Sequence, residues 1–374
     1  MAHRVYRTTA PAKQVSEEAR IASKHLRHFS SDYFTARARF RQGVEKAGGR
    51  LESLPLDPEG PENEDLSIDI GWFGSDNPRR VLLHSSGLHG VEGFPGSAIQ
   101  LQLLEGMPHL PAEGAIVLVH ILNPYGMAWL RRFNENNVDL NRNFLGPDEK
   151  FMGAPEGYQR LNSFLNPASP PARDFYHLKA LSLILRDGLS ALKQAVAGGQ
   201  WDFPKGLFFG GKRLEQGPQK YQAFLTERLR TAEQVFVVDV HTGLGTYGRD
   251  VLLVEEEHRT RFRKSFDELV KPLEPDLGPA YRVRGGHHTM LPRALPMARI
   301  YFLAQEFGTY NPVKVLHALR EENRWHHHGE GTVDHPTKRK LRKTFCPEDV
   351  AWQAAVLSRG KKLVQEAVEF LSKP

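Results

Sequence analysis

The sequence predicts an α/β fold, a mixed and mostly parallel sheet sandwiched by helices, on two observations. Apolar runs of strand length recur along the 374 residues, and several are nearly continuous, as in strands buried on both faces of a sheet. Stretches of helical periodicity separate them, and this alternation is the pattern of an α/β chain. The composition, 40% hydrophobic and 25% charged, excludes a largely disordered or fibrous protein. The length fits a single domain, 1–374, carrying insertions.

Taken in order, residues 16–47 read as a helix, followed by the extended stretch LESLPL and a Pro/Gly/Asp-rich turn at 55–64. Strand-like runs are expected at 66–73, 80–85, 115–122, 234–240, 250–254 and 299–306. Helices are expected at about 95–106, 175–197, 218–230, 257–271, 312–324 and 347–371. The Pro-rich run from Asn166 and the Gly/Pro-containing 198–211 read as surface turns bracketing a helical insertion at about 150–230.

Composition also bounds partners and compartment. No apolar run approaches the roughly 18 residues of a membrane span, and the start lacks the apolar core of a secretory signal. With one cysteine, Cys346, an internal disulfide is ruled out, the default compartment is a reducing cytoplasm, and any metal must be held by His, Asp or Glu. The net charge of +6 and pI of about 9.3 raise nucleic acid as a minor alternative. Both basic clusters read as solvated faces: Arg20, Lys24, Arg27, Arg37, Arg39 and Arg41, and the run from Lys338 to Lys343. Neither carries an aromatic ladder.

Four segments bear chemistry. Ser86-Gly87-Leu88-His89-Gly90-Val91-Glu92-Gly93 follows a strand, where ligands collect in open α/β sheets. His89 and Glu92, three apart between glycines, can present an imidazole nitrogen and a carboxylate to one zinc ion. A second His-x-x-Glu, His327 and Glu330, sits in a polar stretch and reads as a decoy. Val237-Val238-Asp239-Val240-His241-Thr242-Gly243 ends a strand in a histidine placed to complete a two-histidine, one-glutamate set. The adjoining Gly243-x-Gly245-x-x-Gly248 matches a dinucleotide pattern, but the residues after it read as strand, not helix. The third segment gathers Asn123-Pro124-Tyr125-Gly126, Arg131-Arg132 and Val138-Asp139-Leu140-Asn141-Arg142-Asn143; a guanidinium there offers paired donors for a carboxylate or an oxyanion. In the fourth, Glu306 lies near the end of an apolar strand, where it would serve as general base beside zinc-bound water.

Together, and in this order, the four segments resemble the zinc carboxypeptidase superfamily, and look most like its bacterial branch known as domain of unknown function 2817, over about residues 25–370. The resemblance implies a sheet of about eight strands with one zinc ion per chain at the strand ends, held by His89, Glu92 and His241. It implies Glu306 as general base and Arg132 as the carbonyl-polarising arginine, with Arg131 as the fallback. Asn141 and Arg142 match the pair that grips a terminal carboxylate, and Asp139 the carboxylate that orients the first histidine. The implied activity is hydrolysis of an amide bond next to a terminal carboxylate, in a small peptide or, alternatively, an N-acyl amino acid; a non-catalytic binding protein is the third reading.

The chain also departs from the pattern. Val91 stands where carboxypeptidases often have an arginine, and Tyr281 is only the nearest candidate for the family's loop tyrosine. Arg284, His287, His288 and Arg293 occupy that loop, the two histidines read as pocket lining or surface, and the positive charge favours an acidic side chain or second carboxylate on the substrate. The insertion is expected to cover the cleft and restrict it to small substrates.

Overall fold

The computed structural model describes residues 27–255, 258, 260, 262, 266, 270–272 and 283–373. Its centre is an eight-stranded sheet: β1 (Arg50–Glu59), β2 (Asp65–Gly74), β3 (Arg80–Ser86), β4 (Gly114–His120), β5 (Gln234–Gly243), β6 (Asp250–Val254), β7 (Val270–Pro272) and β8 (Arg299–Gly308). The spatial order is β1-β2-β4-β3-β5-β8-β6-β7. Pairings are parallel through β4-β3-β5-β8 and between β6 and β7, and antiparallel elsewhere. The parallel centre needs cover on both faces, and its sequence supplies it with period-two alternation. In β5, Phe236, Val238 and Val240 face one apolar core while Val235 and Val237 face the other.

The first core is closed by α1 (Tyr33–Lys46), α2 (Gly93–Leu104) and the C-terminal α11 (Val350–Ser372). The start of α1 is fixed by Asp32, whose carboxylate accepts from the Thr35 backbone N–H at 2.7 Å, and Tyr33, Ala36, Phe40 and Val44 form its buried stripe. The second core is closed by α7 (Gln216–Arg228) and α8 (His287–Ala294). Each fully buried Leu, Val or Phe contributes about 1.5–3 kcal/mol. Other helices are the short α3 (Pro124–Ala128), then α4 (Glu156–Leu165), α5 (Tyr176–Asp187), α6 (Leu189–Ala197), α9 (Pro312–His328) and α10 (Pro336–Phe345). Among the described residues, no helix is long and apolar enough to cross a membrane.

Several expectations are corrected. The described part of the predicted 16–47 helix begins only at Tyr33; residues 16–26 lie outside the described residues. The 175–197 helix is broken at Gly188, whose φ of 79° no continuing helix can accommodate. Most of the 257–271 helix lies outside the described residues, and its end, from Val270, is strand, paired with β6. The turn expected at 55–64 is shorter, because the extended 51–56, as expected, is strand and continues to Glu59 as the edge strand β1. The 198–211 segment is no surface turn: Gln200, Leu207 and Phe209 are buried, because its backbone serves as partner to the site loop. The Phe209 carbonyl accepts from the Asp139 N–H at 2.7 Å, and Leu207's from Tyr158 Oη at 2.7 Å. Nor is the run from Lys338 a wholly solvated face, since Lys338 is buried against Glu322.

Candidate active site

The carboxyl ends of β3, β5 and β8 converge on one edge of the sheet. His89 and Glu92 sit just beyond β3, Glu92 in a single 3-10 turn that packs backbone to backbone on the loop after β4. There Gly90 and Val91 N–H donate to the carbonyls of Arg132 and Arg131 at 3.1 and 2.9 Å. A Cβ at Gly90 would come within 2.1 Å of the Gly126 carbonyl carbon, so this approach requires glycine. Val91 points into an apolar cluster with Phe133, Leu207 and Leu341, a place a charged arginine could not occupy without a partner.

His241 and Glu306 are direct register partners on β5 and β8. His89, Glu92 and His241, all buried, each offer a ligand atom within 4.8 Å of the others; among the described residues this is the one group of three such side chains so placed. His89 Nδ1 lies 3.1 Å from Glu92 Oε1, and His241 Nδ1 lies 3.3 Å from both His89 Nδ1 and Glu92 Oε2. The far nitrogens are held by carboxylates: His89 Nε2 by Asp139 at 3.1 Å and His241 Nε2 by Asp239 at 3.0 Å. This is the outer-shell arrangement that fixes an imidazole's orientation and raises its basicity toward a metal. Two imidazole nitrogens and a carboxylate form a donor set that suits zinc.

The electrostatics follow from this packing. Burial alone would raise the Glu92 carboxyl, but the charges of His89 and Arg132 hold it well below the ordinary carboxylate range. Asp139 is lowered against its own burial by Arg132 and His89, and Asp239 by His241 and His287. Asp239 in turn drives His241 well above the usual imidazole value, over the opposing effect of burial. Glu306 behaves oppositely: burial, reinforced by the charge of Glu92, pushes it up to about 7. Its Oε1 accepts from the Leu244 N–H at 2.8 Å.

Arg132 bridges Glu92 Oε1 at 2.6 Å and Asp139 Oδ2 at 3.3 Å and lines the cavity. Arg131 turns the other way, wholly buried, onto Glu322 at 2.9 Å. Asn141 and Arg142 line the same cavity, and Asn141 Oδ1 accepts from the His287 N–H at 3.0 Å. His327 and Glu330 belong to no such group, and the 243–248 glycine turn leads into β6.

One residue, Asp239, went unassigned at the sequence level, and another, His287, was placed wrongly. Asp239 accepts from Ser85 Oγ at 2.7 Å, and its other oxygen contacts both His241 and, at 2.9 Å, His287 Nδ1; His287 Nε2 continues to Tyr221 Oη at 3.3 Å. The signal for Asp239 was its place two residues before His241, on the same face of the strand. His287, expected as lining or surface, is buried in this chain, whereas His288 does line the cavity. The expected positive loop is corrected as well. Arg284 stacks on Trp201 at 4.5 Å and Arg293 donates to the Phe144 carbonyl at 2.7 Å, so neither lines the cavity. Tyr281 lies outside the described residues.

No curated protein matches the sequence. Among solved structures, the chain is similar to carboxypeptidase A from Helicoverpa armigera, at 12% identity over 96% of this chain and 82% of that one, with a TM-score of 0.48. It is also similar to bovine thrombin-activatable fibrinolysis inhibitor in complex with tick carboxypeptidase inhibitor, at 10% identity, 92% and 98% coverage and a TM-score of 0.43. A third likeness is to the murein-tripeptide amidase of Escherichia coli O157, at 17% identity, 74% and 92% coverage and a TM-score of 0.36. The family described as protein of unknown function (DUF2817) matches residues 29–359, and the chain belongs to it.

Proposed function

We propose that the protein is a zinc-dependent hydrolase that cleaves an amide bond next to a terminal carboxylate. The observation that carries this reading is the convergence of His89, Glu92 and His241 within 4.8 Å, beside a register-paired Glu306. Zinc, when bound by these three side chains, supplies a Lewis acid and a water of lowered pKa. Glu306 takes the proton of the attacking water and hands it to the departing amine, a role suited to a carboxylate raised toward neutrality. The Arg132 guanidinium stabilises negative charge developing on the carbonyl oxygen. Asn141 and Arg142 hold the carboxylate end, which fixes the scissile bond along the cavity, and Asp139 keeps the His89 ring in place. A reducing compartment, the cytoplasm, is supported by the lone cysteine, Cys346, whose thiol burial pushes up to about 12.

The test is metal content by mass spectrometry on untagged protein purified without chelator. About one zinc per chain is expected, falling sharply in His241→Ala. Glu306→Gln is expected to keep the metal and lose about 10²–10⁴ in kcat on peptides or N-acyl amino acids. A folded protein that takes up no metal even when zinc is supplied would sink the reading.

A further inference from the structure

The three donors line a cavity of about 830 Å³, within the roughly 300–1,000 Å³ of small-molecule sites. Its polar side chains are concentrated around His89, Glu92, Arg132, Asn141, Arg142, His241 and Glu306. To the same cavity the insertion helices supply an apolar wall: Leu161 from α4, Ala180, Leu183 and Ile184 from α5 and Leu192 from α6, the three leucines clustered with Leu316 of α9. Among the described residues, the polar side chains these insertion helices contribute to the lining are Ser190 and Tyr176, and Tyr176 Oη already donates to the Val313 carbonyl at 2.9 Å.

Such a wall discriminates between occupants. A peptide continuing along it would bury amide N–H and C=O groups against methyl and phenyl surfaces, and each unpaired group lowers affinity roughly five- to a hundredfold. An alkyl chain asks for no hydrogen bonds, and each buried methylene raises affinity about fourfold. We infer that the α4–α6 wall receives a long aliphatic acyl chain, making the substrate class long-chain N-acyl amino acids. The inference rests on the hydrolase reading above for the bond that is cut. Water's hydroxyl adds to the acyl carbon, the C–N bond breaks, and the proton passes to the amine nitrogen, giving a fatty acid and a free amino acid.

The test uses N-acetyl, N-octanoyl and N-dodecanoyl forms of one amino acid, below their micellar concentrations, with a hydrophobic dipeptide as comparison. Turnover is measured on the zinc-loaded full chain, and binding by calorimetry on chelator-treated protein. Expected is a rise in kcat/KM and affinity with chain length, up to about fourfold per methylene until the cavity is full, with the dipeptide far behind. Ala180→Trp or Ile184→Trp, each filling the wall, moves the optimum to shorter chains. Turnover indifferent to chain length, or fastest on the dipeptide, overturns the inference and leaves the hydrolase reading intact. Length-dependent binding without turnover of any amide upholds the acyl-chain site and overturns the hydrolase reading, and with it the assignment of these amides as substrates.

Discussion

Asp139 and Asp239 do the same work toward His89 and His241, each taking the ring nitrogen that faces away from the candidate metal position. Asp239→Asn keeps the shape but loses the charge that orients and polarises His241, so zinc affinity should fall about 10–100-fold in a chelator competition. Unchanged affinity would reduce Asp239 to a packing residue. A second carboxylate is informative away from the site. Glu135 is pushed up to about 7 by burial, with Glu215 and Asp57 adding like charge. A raised carboxylate makes the native state bind a proton that the unfolded chain has released, so stability falls as pH rises from about 4.5, the ordinary glutamate value, through 7. Glu135→Gln should flatten that part of a melting-temperature profile; an unaltered slope would assign it to other groups. At this scale the sequence was legible where residue type and spacing coincide, as at His89, Glu92 and His241. It was not legible for His287, which meets Asp239 across 48 positions of chain, a contact only the fold creates.

Among the elements, α9 and α10 are held together by charge buried under the site loop. Glu322 of α9 accepts from Arg131 at 2.9 Å and from Lys338 of α10 at 2.6 Å. Their charges hold the Glu322 carboxyl below its ordinary value against burial, while burial pushes the Lys338 amine down to about 8. A basic run is indistinguishable from a solvated face until its buried partner is known, which is why Lys338 misled. The adjacent arginines Arg131 and Arg132 are likewise separated only by packing. Arg131→Met should cost about 3 kcal/mol in denaturant unfolding, the low end for breaking a buried pair because Lys338 still neutralises Glu322, with zinc content unchanged. A drop in zinc per folded chain would instead tie Arg131 to the site. The long apolar strands, by contrast, were legible nearly to their ends, since a run buried on both faces has few alternatives. β7, three residues at the sheet's edge, is too short to leave a pattern.

For the molecule as a whole, the site lies where parallel strands from distant parts of the chain end together. The pairing of β3 with β5 joins Ser85 to Asp239 across 154 positions. Everything from α2 to α7 lies between these two strands, so the loop must close at an entropic cost before its contacts repay it. His89 and Glu92 leave the ribosome with the first part of the chain and His241 only with the second, so a growing polypeptide has no three-donor site until β5 has been made and has docked beside β3. On the proposed reading, ion capture is a late event in the protein's biogenesis, and the ion would clasp the seam between the two paired strands that lie farthest apart in sequence.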